Sequence, residues 1–142
     1  MPDQFEIFFA GTSARHKMPM QASRISAGFP SPAEDYIEKR LDLNEYLVRN
    51  PSASFFVKVR GDSMIDAGIH DGDVLIVDRS LEPSNGRIII GVLHGEFTVK
   101  RIIQKGKRFF LQPENENFSP VEITGNSDFS VWGVVVYAIH KL

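Results

Sequence analysis

From Phe55 to the end of the chain, apolar residues fall into short runs of strand period separated by glycine-bearing turns. That pattern restricts the fold to β-sheet. Phe55, Val57 and Val59 alternate with Phe56, Lys58 and Arg60, which predicts a half-buried strand. Asp73 and Asp78 enclose Val74-Leu75-Ile76-Val77, a continuous apolar run suited to a core strand. Arg87 to Leu93 and Glu96 to Gln104 flank His94-Gly95, a two-residue hairpin signal. Lys105-Gly106-Lys107 turns the chain into Arg108 to Gln112. After a loop rich in Asn, Pro and Ser, Phe129 to Ile139 predicts a last apolar strand around Trp132. The expected fold is mostly β, compact and largely antiparallel.

Upstream of Phe55 the period is lost. Residues 1–30 are expected to form a flexible N-terminal arm, with a short strand at Phe5 to Phe9. Ser31-Pro32-Ala33-Glu34 carries a helix-start signature: an N-cap serine, a proline at the first helical position and an early glutamate. It predicts a short helix to about Lys39. Asp42-Leu43-Asn44-Glu45 repeats the cap-plus-acid pattern, and Asn50-Pro51 stops that second turn. The expected organisation is an arm over 1–30 and a β-rich domain over 31–142.

At 142 residues the chain is long enough for one domain with a proper core. Sixteen Lys plus Arg against eighteen Asp plus Glu leave a net charge of -2, a poor match for a protein built to grip a phosphate backbone. There is no cysteine, which excludes disulfides, thiolate metal sites and Cys nucleophiles. Phe5 to Ala10 is too short for a secretory core, contains Glu6 and follows Asp3 in place of a basic region. No apolar run approaches the roughly eighteen residues of a membrane span. A cytoplasmic protein is expected, with no membrane partner, no metal ligand set and no cofactor.

Gly61-Asp62-Ser63-Met64 follows a strand end, where a serine hydroxyl can project beside backbone N–H groups, as a nucleophile and its oxyanion site require. The same composition also makes ordinary turns, and Asp71-Gly72-Asp73 is one. None of the four histidines has a carboxylate placed as a Ser-His-Asp triad demands. His16 lies in the arm, His140 near the C-terminus and His94 at a hairpin tip. His70, beside Asp71, reads as a solvated loop residue. A neutral lysine can replace histidine as the base. Lys100 sits in strand-like Glu96 to Arg101, and a period of two places Thr98 on its face, where a hydroxyl can hold the amine. A free lysine with a pKa near 10.4 is only about 0.1% neutral at pH 7.4. Burial lowers that pKa by about 3 to 5 in favourable cases. The alternative is an exposed lysine in a basic hairpin with Arg101, Lys105, Lys107 and Arg108, and the pattern alone favours that alternative.

Taken as a set, these motifs resemble the LexA/UmuD family of Ser-Lys self-cleaving proteins, peptidase family S24. The set comprises Gly61-Asp62-Ser63-Met64, Asp71-Gly72-Asp73, Val77-Asp78, Glu96-Phe97-Thr98-Val99-Lys100-Arg101 and Val131-Trp132-Gly133-Val134-Val135. Ala27-Gly28-Phe29-Pro30-Ser31-Pro32 looks like the family's cleavage segment, and the likeness runs from about Ile25 to Ile139. It implies the fold of the family's C-terminal β domain. It also implies Ser63 as nucleophile, Lys100 as general base with Thr98 supporting it, and Ala27–Gly28 as the scissile bond. The repressors of the family carry a helix-turn-helix domain of some seventy residues before that bond; only 27 residues precede it here, so the closer likeness is to the UmuD-like branch.

For that branch the resemblance implies a homodimer serving translesion synthesis in the SOS response. Its cleavage is stimulated by a RecA–single-stranded DNA filament, and its partner is the catalytic subunit of a Y-family error-prone polymerase. Four rival readings remain. A polymerase-binding module could carry the dyad unused, and a LexA-like regulator would use the same chemistry. A type I signal peptidase also uses it, but is anchored by a membrane segment missing here. Direct DNA binding through Lys100 to Arg108 is opposed by the acidic balance, so no strong direct DNA binding is expected.

Overall fold

The structure, a computed structural model, describes residues 5–10, 17–21, 27 and 37–142. The chain divides into two units, residues 1–10 with 50–142 and residues 11–49. In the smaller unit, β2 (Lys17–Gln21) pairs antiparallel with β3 (Ile37–Asp42), and α1 (Leu43–Leu47) follows. Asp42 caps α1 as its position predicts, accepting a 2.9 Å hydrogen bond from the Asn44 N–H. The helix predicted from Ser31 is corrected: Ile37 to Lys39 belong to β3, and Ser31 to Tyr36 lie outside the described residues. Cross-strand pairing with β2 replaces the local helix signal there, a tertiary effect that a cap signature cannot register.

The larger unit is an eight-stranded antiparallel sheet. Its strands are β1 (Phe5–Phe9), β4 (Ser54–Val59), β5 (Val74–Asp78), β6 (Ile88–Leu93), β7 (Glu96–Lys105), β8 (Arg108–Gln112), β9 (Val121–Ile123) and β10 (Phe129–Ile139). They lie in the order β1-β4-β5-β10-β6-β7-β8-β9. The mostly β, antiparallel class expected from the strand period is what forms, and the strand expected at Phe5 to Phe9 is β1. β6 and β7 are joined by His94-Gly95, both at positive φ (50° and 80°), as a tight two-residue turn requires. Two strands carried no usable period: β9, with three residues, and β2, which contains Pro19. A proline has no N–H for the ladder and is tolerated in a two-stranded ribbon where every strand is an edge.

β10 closes the sheet by inserting between β5 and β6, so the last strand joins two halves built earlier in the chain. Alternation then places a core on each face. Ile89 and Ile90 are adjacent in β6 and fully buried, yet they belong to different clusters. Ile90 packs with Val57, Leu75, Val77 and Val99, and Ile89 with Ile102, Leu111 and Val134. At the end of β5, buried Asp78 ties the start of the unit to the sheet. It accepts hydrogen bonds from Asn50 Nδ2 (2.7 Å) and the Ser80 N–H (2.8 Å), and from the Ser80 hydroxyl. Burial pushes its carboxyl up, but these hydrogen bonds together outweigh it and hold the group below the usual aspartate value.

Candidate active site

The segment leaving β4 is shaped by its own backbone needs. Gly61 takes φ 105°, where a Cβ is disfavoured, and turns the chain out of the strand. Its N–H donates to Asp71 Oδ1 at 2.8 Å. Val59 exchanges backbone bonds with Asp73 O (2.9 Å) and the Gly72 N–H (2.8 Å), so the Asp71-Gly72-Asp73 turn is stitched to the end of β4. Ser63 and Met64 follow, then a 3-10 turn over Ile65–Ala67 that ends at Gly68. Met64 is buried in the core and anchors the loop beside Ser63.

A second loop braces Ser63 from the other side. Glu114 N–H donates to Ser63 O (2.9 Å), Asp66 N–H to Glu114 O (2.8 Å), and Asn115 Nδ2 to Asp62 O (2.9 Å). Glu114 and Asn115 are neighbours of the candidate site that the strand and turn pattern of the sequence leaves in a loop. Their signal was only a turn composition, and a brace of backbone bonds and one side-chain amide leaves no side-chain period to read.

Lys100 reaches this loop from the middle of β7. Its Nζ lies 3.1 Å from Ser63 Oγ, 2.9 Å from Thr98 Oγ1 and 2.9 Å from Val99 O. Ser63 is only 4% exposed. Between β4 and β7 lie β5, β10 and β6. The meeting of Ser63 and Lys100 is therefore made by the loop after β4, with no strand pairing between their own elements.

The other cations of the basic hairpin are engaged differently. Arg101 is ion-paired with Glu114 and donates to Gly86 O at 2.6 Å. Arg108 forms a two-pronged pair with Glu122, 2.9 Å at each contact, and lies with Lys105 over the Phe110 ring. Lys100 differs from both arginines in having side-chain hydroxyls, those of Ser63 and Thr98, within hydrogen-bond reach. His94 sits at its hairpin turn, while His70 and His140 both approach Asp73. His16 lies outside the described residues. Ala27 is exposed at a bend in the smaller unit; Gly28 lies outside the described residues. Among the described residues, no helix is long and apolar enough to cross a membrane.

A serine hydroxyl, an amine within hydrogen-bond reach and a second hydroxyl on that amine are the parts of a Ser-Lys peptidase site. The Peptidase S24-like family matches residues 19–136 of this sequence. The chain belongs to that family. Within it, the chain is similar to Protein MucA of Salmonella typhimurium, 48% identical over 131 residues that cover 92% of this chain and 89% of MucA. It is 42% identical to Protein ImpA of Shigella flexneri over 123 residues, 87% of this chain and 83% of ImpA. These are UmuD-like members of the LexA/UmuD family. The LexA repressor of Shewanella piezotolerans is 38% identical over 119 residues, 83% of this chain but 57% of the repressor. S24 membership places the chain in a serine peptidase family.

Proposed function

We propose that this S24 member is a self-cleaving Ser-Lys peptidase that cuts its own Ala27–Gly28 bond and then serves error-prone DNA synthesis after DNA damage. The observation that carries the reading is the 3.1 Å approach of Lys100 Nζ to Ser63 Oγ, with Thr98 Oγ1 and Val99 O at 2.9 Å from the same nitrogen. A neutral amine in that position donates its two hydrogens to Thr98 and Val99 and turns its lone pair to the Ser63 hydroxyl.

In the proposed reaction, Lys100 takes the Ser63 proton as Oγ attacks the Ala27 carbonyl carbon. The resulting ammonium gives that proton to the Gly28 nitrogen as the C–N bond breaks. Water, deprotonated by the same amine, then hydrolyses the Ala27 ester and returns Ser63 to its hydroxyl form. The products are residues 1–27 and 28–142. A RecA–single-stranded DNA filament would accelerate the step only by binding more tightly to the state in which the cleavage segment occupies the site. The trimmed body, as a homodimer, is proposed to partner the catalytic subunit of a Y-family polymerase.

The test is intact-mass analysis of the purified chain from about pH 7 to about 10.5, the range over which a lysine loses its charge. It is run with and without filament, beside Ser63→Ala and Lys100→Ala. Cleavage between Ala27 and Gly28 should rise with pH, because deprotonation makes the base, and should vanish in both variants. Folded protein that never cleaves, with filament or at high pH, would leave a polymerase-binding module with an unused dyad. A cut elsewhere, or one that persists in Ser63→Ala, would overturn the site.

A further inference from the structure

Three side chains that the proposed cleavage does not use meet where β10 ends. Asp73, in the turn before β5, is 2% exposed. Its Oδ1 lies 2.6 Å from His140 Nδ1, while its Oδ2 accepts from the His70 backbone N–H at 2.8 Å and lies 3.7 Å from His70 Nδ1. His70 Nδ1 is itself buried without a hydrogen-bond partner, although its ring is part of the cluster. The two imidazoles stack, centroids 4.2 Å apart and planes inclined by 29°. One ligand-competent atom from each of the three residues falls within 4.8 Å of the others.

A buried carboxylate facing two imidazole nitrogens, one of them unsatisfied, is a donor set short of a cation. A single shared proton compensates His140 and Asp73 but leaves His70 Nδ1 idle, and an idle buried nitrogen is costly. We infer that His70, Asp73 and His140 form a binding site for a divalent transition-metal ion of the zinc type. Two imidazoles and a carboxylate suit such an ion in donor character. Zinc holds nitrogen and oxygen ligands at about 2.0 to 2.2 Å in a tetrahedron, which puts neighbouring donors about 3.3 Å apart.

His70 Nδ1 and Asp73 Oδ2, at 3.7 Å, already approach that spacing. His140 Nδ1 must withdraw from Asp73 Oδ1 by roughly 0.7 Å to match the same tetrahedral spacing. The ring has room to do so, because it is exposed and lies just beyond Ile139, the last paired residue of β10. The His70 backbone N–H fixes the carboxylate from behind, the kind of outer contact that orients metal ligands. The two Asp73 oxygens and the two imidazole nitrogens then make up the four donors. Bound there, the ion clips the end of β10 to the Asp71-Gly72-Asp73 turn and, through Val59 and Gly61, to the root of the loop that carries Ser63. Sequence spacing hides the set, since His140 and Asp73 are brought together only when β10 pairs with β5.

Calorimetric titration of the full chain with zinc chloride tests the site. One ion per chain is expected, with affinity at least about tenfold weaker in His70→Ala and in His140→Ala. His94→Ala, outside the cluster, should bind as the parent does. If either cluster variant fails to fold, cobalt(II) added to the unaltered chain should give the strong visible absorption of a four-coordinate site, and zinc should abolish it. No binding of either ion to the parent chain, or equal zinc affinity in the parent and folded cluster variants, overturns the site.

Discussion

Lys100 Nζ faces two hydroxyls and a carbonyl, and each has a separate consequence for its chemistry. A hydrogen bond accepted by Thr98 Oγ1 both aims the amine and favours its charged form. Thr98→Val keeps the shape and removes that acceptor. Two effects are then expected in the self-cleavage rate measured against pH. The high-pH plateau should fall by about tenfold, the scale of one lost hydrogen bond. The midpoint should move to lower pH, because the ammonium has lost a partner. An unmoved midpoint in folded protein would remove Thr98 from the positioning role. The Thr98–Lys100 pairing was legible in the sequence, because a period of two is enough to put both side chains on one face. The brace from Glu114 and Asn115 was not, since it consists of backbone and amide contacts between loops distant along the chain.

Among the elements, β10 shows close packing demands at its glycine. It changes register with β5 between Val135 and Tyr137, and with β6 between Val131 and Gly133. At Gly133 an added Cβ would sit 2.5 Å from Val77 Cγ1 and 3.2 Å from Arg79 Cγ. Val77 is fully buried and β-branched, so it has little rotamer freedom with which to yield. Gly133→Ala should therefore cost about 1 to 3 kcal/mol, typical of overpacking. Gly125→Ala, where nothing lies within 4 Å, should leave the denaturation midpoint close to the parent's. Urea unfolding curves of the two variants would decide it, and equal midpoints would refute the packing argument. Strands of five or more residues with a clear apolar pattern, β4 to β8 and β10, were legible together with their turns. The element that misled was the stretch near Ser31. Its cap-like residues match those at Asp42, but only Asp42 is followed by a described helix, while Ile37 to Lys39 are taken into β3 by pairing.

Across the whole molecule, the expected antiparallel class followed from composition and period, whereas the insertion of β10 between β5 and β6 did not. Strand order depends on which edges remain open when the last segment arrives, and no local pattern encodes that. The order of the N-terminal strands has its own bearing on the proposed cut. β1 and β2 both precede Ala27, yet their partners β4 and β3 both follow it, with five paired positions in each ribbon. Breaking one peptide bond after Ala27 therefore alters molecularity before it alters shape. Pairings that were intramolecular become a two-chain complex, and the effective concentration supplied by a tether, up to the millimolar range, is lost. Residues 1–27 should co-elute with 28–142 in concentrated samples under native conditions and separate on dilution. Immediate loss of the fragment at every concentration would show that the two ribbons do not hold it. A cleaved arm retained in this way makes the product a concentration-dependent timer, in which the cut is irreversible but the departure of the arm is set by how dilute the protein is.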